Sequence, residues 1–469
     1  MLRFFKHSGP LQLIALFLLT LFTRLPLFIS DSPLLMEDLR HLVLGEKMAS
    51  GSFIYKDIID AVPPISALIY WMLGSLFGRS LLAFQLVASF LIFIQALLFR
   101  HLCNKNDLMS EKGDIPAFAY IICSMVCYDF MSLSPCLISL TFILIAFDRI
   151  FKHIKSENNE GEIFATGFYI GIAYLCFAPA IIFSFMGYIA FVLYTRTSIR
   201  YYLLLITGFI FPTLCAITYF FYFDSLPEFF NYFVFNLPIR SAFLFGFNIG
   251  SVAIITLPVL LLTFMGFFVM AKYNRFINYQ IICQQLMLLW LILVLGLILF
   301  FFSKTLTSFM LLLPFAAYFI SYYIILTKRK RLANILIFLF IINSLQLIYC
   351  YLSVSIYPAS IINFSQQEIK PSVWSKHYQN IKIASFGDDM SVFINNKQAT
   401  PYFDWQLSKS YLQGMDYYGK VIHVYNGFKK DMPDVIIDTK NIMPKIFDRI
   451  PELERSYKKT KYRGVYEKR

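Results

Sequence analysis

Apolar residues run along this chain in long unbroken stretches separated by short polar ones. Stretches of spanning length lie at roughly 10–29, 80–101, 114–130, 132–151, 162–176, 178–195, 200–222, 249–271, 279–302, 306–327 and 332–353. A helix needs roughly 20 mostly apolar residues to cross a bilayer core. The pattern therefore predicts about eleven membrane-spanning helices. The stretch from Ile65 to Phe77 is apolar but short, and Pro63-Pro64 precede it. It predicts a helix lying at the outer interface rather than crossing. The pair 162–176 and 178–195 is also short, and Pro179 predicts a tight turn between two helices. The first stretch follows Met1-Leu2-Arg3-Phe4-Phe5-Lys6-His7, and no small-residue cleavage site comes after it. It predicts a retained helix, not a signal peptide.

From about Tyr357 the pattern changes. Residues 370–469 are polar, charged and free of cysteine. Ile381 to Phe386 predicts a strand ending at Gly387-Asp388-Asp389, and Asp434 to Asp438 a second strand after Pro433. A helix is expected over Met443 to Lys458 and an edge strand at Gly464-Val465-Tyr466. These elements predict a small α/β domain. Gly387-Asp388-Asp389 lacks the G-x-G-x-x-G of a dinucleotide site, and turn chemistry explains it as well as ligand binding does. The fold class is thus an α-helical polytopic membrane protein with a small C-terminal α/β domain outside the membrane. The expected division is 1–355 for the transmembrane part, with a first outer loop at about 30–79, and 356–469 for the soluble part.

Composition agrees with this reading. The 469 residues are 58% hydrophobic and only 15% charged, a balance that a soluble protein would hide with difficulty. The net charge of +13 is scattered between the apolar stretches, which argues against nucleic-acid binding. Charge carries topology instead, because Lys and Arg gather in cytoplasmic loops. Placing the N-terminus in the cytoplasm puts the loops 100–114, 148–162, 195–200 and 271–278 and the run Lys328-Arg329-Lys330-Arg331 there as well. Residues 30–79, 223–248 and the C-terminal domain then fall outside. In a bacterium the chain would sit in the inner membrane with a periplasmic C-terminal domain. The eight cysteines form no Cys-x-x-Cys pair, and they read as small core residues.

One polar stretch does not read as a plain loop. Glu37 and Asp38 follow the first span directly, then come Arg40 and His41, then Tyr55-Lys56-Asp57 and Asp60, then Pro63-Pro64, then Phe77-Gly78-Arg79-Ser80. This order resembles the first outer loop of the GT-C superfamily of membrane glycosyltransferases. The protein O-mannosyltransferases and the lipid A aminoarabinose transferase belong to it. The superfamily commonly has aspartate then glutamate, whereas here the order is Glu37-Asp38. The resemblance implies a catalytic acidic residue just after the first span, about eleven spans and an accessory outer domain. It also implies a polyprenyl-phosphate sugar as donor, and a glycan, lipid or protein hydroxyl as acceptor.

The chemistry fits these residue types. An attacking hydroxyl needs a base to take its proton. A carboxylate at a partly dry interface is made more basic by desolvation, so Glu37 or Asp38 is the expected base. The lipid phosphate leaves as an anion and needs fixed positive charge nearby. Lys304 is the first candidate, Arg240 the second, and Arg40 with His41 the third. Asp57, Asp60 and Asp129 are candidate substrate contacts. The segment Asp224 to Tyr232 is amphipathic and a candidate lining for the acceptor entrance. No metal cluster or cofactor motif is present, although a divalent cation is compatible with the chemistry. Each residue also has a structural reading. Glu37-Asp38 would favour a helix N-terminus, Asp57 and Asp60 would make turns, and Lys304 would reach lipid headgroups. The alternative for the whole chain is a GT-C-shaped protein without catalysis, serving as a partner in envelope assembly or secretion.

Overall fold

The computed structural model describes residues 2–29, 33–155, 159–195, 198–235, 249–273, 275–300, 306–351 and 369–469. The first four long helices are α1 (Pro10–Ile29), α2 (Met36–Ala49), α3 (Pro64–Phe77) and α4 (Leu81–Lys105). The chain divides into two compact units, each built from three separated segments.

The first unit comprises Met1–Pro33, Leu82–Ala216 and Pro238–Gln366. It is helical. Five described helices are long and apolar enough to cross a membrane: Pro10–Phe28, Leu81–Lys105, Ile199–Tyr222, Asn278–Leu299 and Thr307–Leu326. Ala178–Tyr194 and Thr256–Ala271 are apolar but shorter. Several expected spans are thus realised differently. The stretch 114–130 folds as the nine-residue helix Ile115–Cys123 and a separate 3-10 turn, Tyr128–Met131. Nine residues rise only about 14 Å. The stretch 132–151 becomes Pro135–Lys155, whose last two turns carry Asp148, Arg149, Lys152 and Lys155. On α1, Ile14, Leu18 and Phe22 are more than half exposed and lie one turn apart, an apolar stripe suited to lipid.

Several polar groups inside this unit are matched to neutral partners, while the buried Asp114 and Asp148 pair with Arg100 and Lys152. Gln95 Nε2 donates to Leu137 O at 2.7 Å and to Thr141 Oγ1 at 2.9 Å, and its Oε1 accepts from the Tyr120 hydroxyl at 2.8 Å. Trp290 Nε1 donates to Leu311 O at 2.7 Å. Arg24, on α1 and buried, donates to Ser89 Oγ at 3.1 Å and to Phe130 O at 3.3 Å. Such bonds replace the water that an apolar interior cannot supply.

The second unit comprises Leu34–Leu81, Ile217–Leu237 and Gln367–Arg469. Its sheet has the order β2-β1-β3-β5-β4. The strands are β1 (Lys382–Phe386), β2 (Lys397–Gln398), β3 (Val435–Asp438), β4 (Tyr457–Lys459) and β5 (Val465–Lys468). β1 lies parallel to both β2 and β3, while β5 runs antiparallel to β3 and β4. Every residue of β3 is buried, as a central strand requires. The expected edge strand, β5, is therefore interior, and β4 forms the edge. The helix expected over 443–458 is two short ones, Met443–Arg449 and Pro451–Ser456. Pro451 has no N–H to continue the first of them. Helices Trp405–Leu412 and Tyr418–Lys430 complete the domain.

α2 and α3 pack through glycines. A Cβ on Gly45 would lie 2.5 Å from Tyr70 O, and one on Gly74 2.5 Å from the Gly45 carbonyl carbon. Only hydrogen fits at these two positions. α3 has 14 residues, a rise of about 21 Å against a bilayer core of about 30 Å. Both of its flanks are tied to the C-terminal domain. Ahead of it, Arg40 pairs with Asp404 at 2.5 Å. Behind it, Arg79 donates to Phe393 O at 2.5 Å and Asn396 O at 3.0 Å, and also pairs with Glu46. α3 therefore begins and ends on the same side of any membrane it meets. Its exposed residues Leu68, Trp71, Met72 and Leu76 form one apolar face, as an interfacial helix requires.

Candidate functional site

α2 starts after Leu35, which has extended backbone, and no side chain caps it. Glu37 and Asp38 occupy its first turn, where negative charge complements the helix dipole. Glu37 is half-buried, while Asp38 is buried. The two adjacent carboxylates thus differ in the property a base would need, since Asp38 is the more fully withdrawn from water.

Arg40, two residues on, is committed to two carboxylates. Its Nη2 lies 2.5 Å from Asp60 Oδ1 and 2.5 Å from Asp404 Oδ2. Burial acts to lower the Arg40 pKa, but Asp60 and Asp404 outweigh it and hold the pKa above its ordinary value. Asp60 is fully buried, and burial pushes its carboxyl up despite Arg40. Asp404 is held low in spite of its burial. Arg40 lowers it, and so do the Gln406 and Leu407 backbone N–H groups, which donate at 2.8 and 3.2 Å where Asp404 caps Trp405–Leu412. The backbone reinforces the junction, because Ile59 N donates to Pro401 O at 2.7 Å and Asp404 N to Ile59 O at 3.0 Å.

His41 is buried, with its ring stacked on Tyr70 at 4.5 Å between centroids. Burial, helped by the Arg40 charge, pushes its pKa down to about 3, so the imidazole is neutral at ordinary pH. Asp57 accepts from Phe53 N at 2.9 Å and pairs with Lys430 at 2.5 Å. Tyr55 adopts φ +67°, is fully buried, and donates its hydroxyl to Val62 O at 2.6 Å. Its ring meets Phe220 and Phe229. The Tyr55 to Pro64 motif is thus a folded connector, closed on itself and anchored to the C-terminal domain by Asp57 directly and by Asp60 through Arg40. In the segment expected to line an acceptor entrance, Phe229, Tyr232 and Phe233 are buried. Tyr232 OH lies 3.0 Å from Tyr411 OH.

Asp129 belongs to the first unit. It sits in the 3-10 turn Tyr128–Met131, is buried, and accepts from Cys127 Sγ at 3.1 Å. Beside it, Cys123, Cys127 and Phe130 help line a small apolar cavity of about 90 Å³. Arg240 and Lys304 lie outside the described residues. The structure thus gathers Glu37, Asp38, Arg40, His41, Asp57 and Asp60 in one unit. Among the described residues, no three His, Cys, Asp or Glu side chains gather in a way that could hold a metal ion.

The second unit also contains a feature that sequence reasoning missed. A cleft of about 820 Å³ is walled by the C-terminal half of α2, the 50–57 connector, Glu228 and the C-terminal domain. Lys47 lies at its base, buried, and donates to Gln398 O at 2.9 Å, Thr400 O at 3.1 Å and Asp431 at 2.8 Å. Burial lowers the Lys47 pKa against the pull of Asp431. Asp431 also pairs with Lys382 at 2.8 Å, and Lys47 and Lys382 together hold its pKa low despite partial burial. A single lysine on an amphipathic helix gives no sign of partners more than 350 residues away. No family model and no curated protein matches the chain.

Proposed function

We propose that this chain is an integral membrane glycosyltransferase that moves a sugar from a polyprenyl phosphate to a hydroxyl acceptor at the outer face of the membrane. The observation that carries the reading is Asp38, a buried carboxylate in the first turn of the helix that follows the first apolar span. In this mechanism Asp38 takes the acceptor proton, and the acceptor oxygen attacks the anomeric carbon. The bond from that carbon to the phosphate oxygen then breaks, and polyprenyl phosphate leaves as an anion. Lys304 and Arg240 are the cations proposed to receive it. Arg40 suits that task less well, since Asp60 and Asp404 already hold it.

Chain parity supports the eleven-span arrangement. Leu34–Leu81, Ile217–Leu237 and Gln367–Arg469 belong to one compact unit, so they share one side of a bilayer. The chain must then cross an even number of times between 81 and 217, and again between 237 and 367. With one crossing by α1 the total is odd, and six plus four plus one satisfies it. Ala178–Tyr194 and Thr256–Ala271 bring the five long helices to seven. The other four crossings would have to come from 115–131, Pro135–Lys155, Glu160–Cys176 and Lys330–Tyr351.

The ion pairs favour a second reading. Arg40, Asp57 and Asp60 are all used within the unit. A non-catalytic member of the same shape, acting as a partner in envelope assembly or secretion, would keep such contacts and lose transfer. The test is release of free polyprenyl phosphate from a polyprenyl-phosphate sugar by the purified chain in proteoliposomes supplied with glycan, lipid and protein hydroxyl acceptors. The Glu37→Gln, Asp38→Asn double variant should release none while remaining folded. Full release by that variant would remove the mechanism, and no release by the parent chain would favour the partner reading.

A further inference from the structure

The 820 Å³ cleft lies at the other end of α2 from Asp38. Nine residues separate Asp38 from Lys47, a rise of about 14 Å along the helix. The cleft is therefore separate from the carboxylate end, and its chemistry can be read independently of any transfer there.

Two features of its wall point to a ligand. The first is a set of oxygens without partners. Gln398 and Thr400 are more than nine-tenths buried, yet Gln398 Oε1 and Thr400 Oγ1 make no hydrogen bond, and neither does Glu228 Oε2. Buried polar atoms are nearly always satisfied, and each exception calls for a reason. All three belong to residues that line this cleft and lie just beneath its surface, where a ligand that moves the covering side chains would meet them as acceptors. Thr400 is moreover held at φ +66°, a conformation a β-branched residue rarely adopts. The Lys47 ammonium pins the chain there through the Gln398 and Thr400 carbonyls. Strain held in place by a buried cation is characteristic of binding sites.

The second feature is surplus positive charge. Asp431 is shared between Lys47 and Lys382, one carboxylate for two ammonium groups. Among the described residues, Lys56 donates to the Phe223 carbonyl and pairs with no carboxylate. Lys397, also on the wall, is exposed. Glu46 is answered by Arg79 and Asp57 by Lys430, so neither offsets this surplus. With Glu228 counted beside Asp431, four lysines (Lys47, Lys56, Lys382 and Lys397) still face two carboxylates on this wall. The volume suits a ligand the size of a mono- or disaccharide.

We propose that this cleft binds an anionic saccharide. Its hydroxyls would donate to Gln398 Oε1, Thr400 Oγ1 and Glu228 Oε2, and its anionic group would face Lys382 and Lys397. Lys47 is a positioning residue that holds the 398–400 segment in place. The anion can be a phosphate or a carboxylate, and the two are distinguished by experiment.

The test is calorimetric titration of the full chain in nanodiscs with glucose 1-phosphate, glucuronate, glucose and inorganic phosphate. At least one anionic sugar should bind, and bind about tenfold or more tightly than glucose or phosphate alone. Preference between glucose 1-phosphate and glucuronate identifies the anion. Thr400→Val keeps the side-chain shape and should weaken that binding by about tenfold. Lys397→Gln, at an exposed position, should weaken it by several-fold and leave glucose unaffected. The proposal is overturned if neither anionic sugar binds below about 10 mM. It is also overturned if glucose binds equally well, or if both variants keep the parent affinity. These outcomes are read without any transfer assay, so they stand apart from the fate of Glu37 and Asp38.

Discussion

The two units bury polar groups with a different balance of partners. In the first, polar side chains along the apolar helices meet neutral partners: Gln95 with Tyr120 and Thr141, Trp290 with a carbonyl, Arg24 with Ser89 and a carbonyl. Its ion pairs gather at helix ends, as Arg100 with Asp114 and Arg149 with Glu162. In the second, three segments distant in sequence are joined by charge. Arg40 holds Asp60 and Asp404, Lys47 holds Asp431, Arg79 holds Glu46, and Lys430 holds Asp57. A charge in hydrocarbon is costly even when paired, whereas a partly wet domain supports ion pairs at lower cost. The contrast is what a membrane body and an extramembrane module would show.

The largest expected effect breaks the charged junction. Arg40→Ala leaves Asp60 buried without its cation, and loss of one partner of a buried pair costs about 3–5 kcal/mol. Proteolysis should then cut between 369 and 469 while the helices of the first unit stay protected. Unchanged protection across the C-terminal domain would mean that Arg40 does not hold it.

Acid should separate the units next. The His41 imidazole has its pKa pushed down to about 3 by burial and by Arg40, and burial also lowers that of His423. Below the ordinary imidazole value of about 6.5 the unfolded chain takes up protons that the folded chain refuses. The stability from His41 is therefore complete above about pH 6.5 and is lost as pH falls toward 3, at roughly 1.4 kcal/mol per unit, with His423 acting in the same direction. Hydrogen exchange in the second unit should rise across that range, and His41→Gln should flatten the profile. A profile equally steep in that variant would remove His41 as the cause.

Within the first unit, Gln95→Leu should cost about 1–2 kcal/mol, since it strands the buried Tyr120 hydroxyl. Thermal unfolding in detergent measures this, and the loss should not change between pH 5 and 7, because His41 and His423 lie in the other unit. Lys430→Ala removes a pair whose lysine is two-thirds exposed, and it should cost less than about 1 kcal/mol.

Much of this contrast was legible along the chain. Apolar length marked α1 and α4, and the short apolar run after Pro63-Pro64 marked α3 as non-crossing. The β-branched run Val435-Ile436-Ile437 marked β3, and the segment from Ile381 to Phe386, ending at the Gly387-Asp388-Asp389 turn, marked β1. Periodicity failed where charge or proline interrupts an apolar run, as at Tyr128–Met131 and Pro451. It misplaced β5 because a four-residue strand carries no signal of how many neighbours it has. The candidate residues at 37–60 were found by order and type, but their partners Asp404, Lys430 and Asp431 were not. Sequence distance hides such partners, since nothing local to an aspartate records a lysine or arginine nearly 400 residues away.

The account rests on three segments of the second unit sharing one face of the membrane. Single cysteines can be placed at exposed positions of each segment, Ala49, Asn231 and Tyr417, and at Lys112 and Arg329 as references, in a chain lacking its native cysteines. An impermeant thiol reagent applied to one side of sealed vesicles should label 49, 231 and 417 together. From the other side it should label 112 and 329. Labelling of any one of the first three together with Arg329→Cys would contradict the shared face, and with it the crossing parity and the outer-loop reading of Glu37 and Asp38.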